Sequence, residues 1–232
     1  MGRQLARLEA LSLAFSPYRD GNCRLQPKGR LRGSNLSYRS ASTPEGTVLM
    51  RYDDNESQVG KPIAVVQGSS SAIVQNCLTS FVERHKATIR IVGLLESTAE
   101  SGGAPDCRPS RLRSIGSPHE FPLFQDLGQG AISCSLLPQS LIEAAELVRL
   151  QIRHGCDLVV LSKYGKLEAE CASGLVPAFV AALEAHVPVL TSVSSRFLSA
   201  WDEFATPYFQ LLQAEHSDLE CWWQNMYRGT CN

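Results

Sequence analysis

"KPIAVVQGSSSAIVQNCLTSFVERHKATIRIVGLLES", residues 61–97, decides the fold of this chain. A short apolar run at 63–66 reads as a strand and a turn of Gly68, Ser69, Ser70 and Ser71 follows it. Ile73, Val74, Cys77, Leu78 and Phe81 then recur at helical spacing, and a second apolar run at 89–95 closes a strand–helix–strand unit. Such a crossover implies two parallel strands in one sheet. Past Pro138 the alternation resumes, with helices expected at 139–154, 172–185 and 195–205 and strands at 157–162 and 187–192. Between them, "CRPSRLRSI" and "HEFPLFQDL" alternate like the two arms of an inserted β-hairpin. The expected fold is α/β: a doubly wound, mainly parallel sheet covered on both faces, with that hairpin added. No internal repeat is present.

Three segments are expected. Residues 1–61 form a flexible leader, because 17–62 are rich in Gly, Ser, Arg, Asn and Pro and lack sustained apolar periodicity. Residues 62–212 form the α/β domain, and 213–232 a C-terminal tail. The chain has 232 residues, a formal charge of -1, 44% hydrophobic and 19% charged residues, which gives no field to gather nucleic acid. No run approaches a membrane span, and Glu9 interrupts the short apolar N-terminal stretch, so it does not read as a signal peptide. Eight cysteines stand singly, without Cys-x-x-Cys or His spacing for zinc. A reducing cytoplasm with no metal site is the simple reading.

In a doubly wound sheet ligands sit beyond the carboxyl ends of the strands, so the loops after them carry the candidate sites. The first is Gly68–Ser71, where amide groups opening a helix favour an anion. A working phosphate loop reads Gly-x-x-x-x-Gly-Lys-Ser/Thr. Counted from Gly68, its last three positions are Ile73, Val74 and Gln75, so second glycine, lysine and magnesium-binding hydroxyl are all missing. The serines either cap a helix or bind a smaller oxyanion than a triphosphate.

The second candidate is "DLVVLSKYGKLEAE", residues 157–170. It resembles the strand–turn segment of the small P-loop nucleoside triphosphatases at Asp157, Gly165, Lys166 and Glu168. Where those proteins carry paired acids to steer magnesium and water, this chain has Ser162 and Lys163. Together with "VGLLES", "FPLFQDLGQG", the Cys134 region, "VPVLTSV" and "AWDEF", the segment more closely resembles the bacterial family of unknown function numbered 2478, over about residues 62–212. That resemblance implies a P-loop-like fold with degenerate nucleotide motifs and an accessory role near molybdenum metabolism. Ser162, Tyr164 and the run "CASGLVPAF", which lacks an arginine usual in the family, are departures.

Lys163 and Lys166 would then supply the positive charge that the loop lost at Val74, or else stand solvated, with Lys166 paired to Glu168 or Glu170. Asp126, two residues before Gly128, either serves a metal or proton or closes a turn; Cys134 and Cys107 are soft-ligand candidates or buried thiols. Arg111 and Arg113 share one side of a strand and either contact an anion or face water. His119, His154 and His186 follow no metal spacing. Trp201, Phe197 and Phe204 look like core packing. Adjacent Trp222 and Trp223 sit awkwardly in one core, which points to a partner contact or to docking on the domain. The expected protein is a non-hydrolysing anion-binding accessory with molybdate or a nucleotide as candidate ligand. The alternatives are a phosphotransferase or triphosphatase using Lys163, Asp126 and Glu168, and a protein-binding adaptor.

Overall fold

In the computed structural model, which describes residues 61–98, 110–124 and 136–229, strand β1 (Ile63–Gln67) feeds helix α1 (Ser71–His85), and β2 (Ile91–Thr98) follows. The antiparallel hairpin is β3 (Ser110–Ile115) and β4 (Glu120–Pro122). Then come α2 (Pro138–Arg153), β5 (Leu158–Tyr164), α3 (Lys166–Cys171), α4 (Val176–Glu184) and β6 (Val189–Val193). A 3-10 turn (Ser195–Phe197) leads to α5 (Leu198–Ala205), β7 (Phe209–Gln213) and α6 (His216–Gly229).

The strands form one sheet in the order β4-β3-β2-β5-β6-β1-β7. The five from β2 to β7 along that order pair in parallel, and β3 lies antiparallel against β2. This is the doubly wound, mainly parallel α/β sheet with an added hairpin that the sequence predicts. The central strands are apolar without interruption because both of their faces are covered. Ala64, Val66, Leu158, Val160 and Leu190 pack toward Val74, Leu78 and Phe81 of α1. Their alternate neighbours Ile63, Val65, Val159, Leu161 and Val189 pack toward α2, toward Phe179 of α4 and toward Trp201 of α5.

The structure departs from the predicted elements in two places. The helix expected at 172–185 is two helices, because Ala172 turns into the left-handed region (φ 48°) and α4 restarts with Pro177 in its first turn. The chain beyond 208 adds β7 to the edge of β1 and lays α6 over α1. Both tryptophans are buried there, Trp222 at 2% and Trp223 at 6% exposure, so docking is what they do. A helical face wider than 100° accommodates two successive residues at its two margins, which resolves the apparent conflict. Glu220 ties α6 to α1 through Arg84 at 3.2 Å and His85 at 3.0 Å.

Trp222 also donates its Nε1–H to the Lys61 carbonyl at 3.1 Å, anchoring α6 to the residue that precedes β1. Trp222→Phe keeps an aromatic ring but leaves that bond unmade and part of the site unfilled, which is expected to lower stability by about 1–2 kcal/mol. Gln224→Ala, on the exposed side of the same helix, is expected to stay within about 0.5 kcal/mol. Urea unfolding of the two variants beside the parent measures the contrast.

Candidate functional site

β1 and β6 are neighbours, yet the loop after β1 turns to α1 on one face while the loop after β6 turns to α5 on the other. Where adjacent loops part in this way a parallel sheet opens a crevice at its carboxyl edge. Here it is a cleft of about 300 Å³, lined by residues 66–71, Val74, Lys163 and 192–195. Its wall is rich in hydroxyls: Ser69, Ser70 and Ser71 on one lip, Ser192, Ser194 and Ser195 on the other.

One of the three loop serines does cap the helix. Ser70 is the N-cap of α1, and its Oγ accepts the Ile73 N–H at 3.3 Å. Ser69 and Ser71 line the cleft as exposed residues beside it. No acidic side chain occupies the first turn of α1, so its positive end is not neutralised locally.

The end of β5 meets this loop from below. Ser162 is 1% exposed, and its carbonyl accepts Gln75 Nε2 at 3.0 Å and Ser192 Oγ at 2.7 Å. These bonds bind α1, β5 and β6 into a polar floor. Within it Gln75 Oε1 and Ser162 Oγ are buried without a hydrogen-bond partner among the described residues. Lys163, one residue on, lines the cleft, and its Nζ lies 3.0 Å from Glu96 Oε2. Glu96, whose side chain is 11% exposed, also accepts a 2.6 Å hydrogen bond from Ser110 Oγ of β3. Sequence reading overlooked Glu96. The register pairs Leu94 with Leu161, so continuing two residues along both strands brings Glu96 beside Lys163. Knowing that β2 and β5 are neighbours was the missing signal.

The other lysine goes elsewhere. Lys166 opens α3 with its side chain 68% exposed and 3.9 Å from Glu170, outside the cleft lining. The surface pairing foreseen as the alternative is what it makes.

Glu168 is the third residue of α3 and is turned inward. Its Oε2 accepts the Gly165 N–H and its Oε1 the Leu175 N–H, each at 2.9 Å. Burial pushes its carboxyl above the ordinary value, opposed by those backbone bonds and by the charge of Lys163. This carboxylate braces the 165–175 turn and is committed to it.

Asp126, Cys134 and Cys107 lie outside the described residues. Arg111 and Arg113 are exposed on the hairpin, with Arg111 3.5 Å from Glu120. Cys77 and Cys156 are free, and burial raises both thiols, Cys156 to about 11, so neither offers a ready thiolate. Cys171 is disulfide-bonded, which departs from the expectation of single thiols. No three His, Cys, Asp or Glu gather as a metal site among the described residues, and no helix among them is long and apolar enough to cross a membrane.

Two solved structures are similar to this chain. THEP1 from the hyperthermophile Aquifex aeolicus has 12% identity and a TM-score of 0.49, over 73% of this chain and 99% of that one. A human cancer-related nucleoside triphosphatase has 11% identity and a TM-score of 0.45, over 73% and 95% of the two chains. Among curated proteins, the molybdenum import ATP-binding protein ModC 2 of Bradyrhizobium diazoefficiens is 26% identical over 206 residues. That alignment takes in 88% of this chain but 23% of the relative, so the chain spans about a quarter of its length. Residues 63–222 match the family described as "Protein of unknown function (DUF2478)", and the chain belongs to that family.

Proposed function

We propose that the serine-lined cleft binds a compact tetrahedral oxoanion, molybdate first among the candidates, and that the protein is a non-hydrolysing accessory in molybdate or metal-cofactor handling. One observation carries this reading: the cleft at the carboxyl edge of β1, β5 and β6 offers hydroxyls, the amide end of α1 and the Lys163 ammonium. Such donors suit a small oxyanion. Magnesium triphosphate asks for more, namely a lysine on the loop and carboxylates on the neighbouring strand. At those places stand Val74, Ser162 and Lys163.

The choice of molybdate draws support from the similarity to a molybdenum import protein. The phosphotransfer alternative built on Lys163, Asp126 and Glu168 is weakened, because the Glu168 oxygens are engaged by backbone N–H groups. The adaptor alternative is weakened as well, since Trp222 and Trp223 face the interior.

Titration calorimetry with molybdate, tungstate, sulfate and magnesium ATP tests the proposal. Molybdate or a close oxoanion should bind, and Lys163→Met should weaken it at least about tenfold, because a cation is lost and Glu96 is left uncompensated at the wall. Binding of magnesium ATP with phosphate release, or no binding of any oxoanion, would overturn it.

A further inference from the structure

Among the described residues that line the cleft Lys163 is the one cation, and its charge is already engaged. The partner, Glu96, is held in turn by Ser110, itself 6% exposed, so the hairpin strand β3 fixes the carboxylate that fixes the ammonium. The register between β2 and β5 sets the two side chains at the same carboxyl edge, with Glu96 11% and Lys163 42% exposed. The wall next to the serine loop is therefore a neutral ion pair and not a bare positive charge.

We infer that Glu96 sets the charge that the cleft accepts. The inference rests on the oxoanion reading above and adds a selection rule to it. A ligand of low charge is held by hydroxyls and amides, which cost little to desolvate, and gains from the near end of the pair. Each further negative charge on the ligand meets the Glu96 carboxylate behind the ammonium. The net attraction per charge stays small while the cost of desolvating the ligand climbs steeply with its charge, and polyphosphates are turned away. An unfavourable element of this kind is how a site refuses ligands whose donors it could otherwise satisfy. Glu96 is a positioning residue, acting through Lys163. The hairpin acquires a function too, because Ser110 keeps the carboxylate on Lys163.

Glu96→Gln retains size and the bond from Ser110 while it releases the ammonium. Calorimetric titrations of parent and variant with molybdate, pyrophosphate and magnesium-free ATP should show a gain in affinity that climbs with ligand charge. The expected gains are about threefold for molybdate, a dianion, and about tenfold for magnesium-free ATP, which carries about twice the charge. A residue that only supports the strands would weaken all three alike, and that result, or a gain independent of charge, overturns the inference while leaving the oxoanion reading in place. Absence of binding to parent and variant alike overturns both. If Glu96→Gln does not fold, the parent decides. A neutral wall predicts that molybdate affinity changes less than about threefold between roughly 50 and 300 mM salt, whereas a steep fall means an uncompensated lysine.

Discussion

Gly93→Ala is expected to lower the unfolding free energy by about 4 kcal/mol, and so to leave little folded protein under mild denaturing conditions. Gly93 sits inside β2 at φ +128°, between Ile115 of β3 and Val160 of β5. A Cβ built there would lie 1.9 Å from the Val160 carbonyl oxygen, 2.8 Å from its carbon and 2.9 Å from its nitrogen. All three are backbone atoms of the central strand, which has no rotamer to change, so relief requires β2 and β5 to move apart. Gly155, at φ +85° with nothing within 4 Å of the same position, isolates the backbone component. Gly155→Ala should cost about 1 kcal/mol, and the difference between the two variants in urea unfolding is the steric part. Similar costs at both sites would mean that the strands yield. Glu96 lies three residues beyond Gly93, so any folded Gly93→Ala protein should also bind oxoanions less selectively.

The parts of this fold that were legible are those governed by local pattern. Leu158 to Leu161 are each 0% exposed, and an uninterrupted apolar run is what a strand buried on both faces demands. In the hairpin, exposed Arg111 and Arg113 flank buried Leu112, the alternation from which a strand was predicted. Neither β7 nor α6 was expected: Gln210 and Gln213 break up the apolar residues of β7, and the polar side chains of α6 find partners that only the fold reveals. In the fold Glu220 meets Arg84 and His85, and His216 Nδ1 lies 3.0 Å from Arg84. The placement of Ser69, Ser71 and Lys163 on one cleft followed from strand-end logic. Two finer facts were beyond it. The diversion of Lys166 depends on α3 beginning at that residue, and the Lys163–Glu96 pair depends on strand order, which joins residues 67 positions apart.

Glu168→Ala is expected to cost about 3 kcal/mol, and Glu168→Gln about 2 kcal/mol, even though both remove a buried charge. The carboxylate is 4% exposed and acceptor-only, and each oxygen receives one backbone N–H, from Gly165 at the start of α3 and from Leu175 beyond its end. Alanine orphans both donors. Glutamine satisfies one and presents its own NH₂ to the other. Gly174 packs closely on the same carboxylate, since a Cβ there would stand 2.2 Å from Oε1, so truncation also removes a packing contact of the turn. Stability should carry a pH signature as well. Burial raises the carboxyl above its ordinary 4.5, so between that value and the folded one the native state keeps a proton that the unfolded chain has released. The parent's stability relative to Glu168→Gln should therefore fall as pH rises from 4.5 and level off above the folded pKa, with no difference in slope below 4.5. A relative stability that rises with pH would show the N–H bonds outweighing burial. Gly165 follows Lys163 by two residues, so releasing its N–H frees the end of β5 that carries the ammonium to the cleft. Oxoanion affinity should then drop in Glu168→Ala under conditions where the variant is still folded, a result that would separate the brace from a merely global loss of stability.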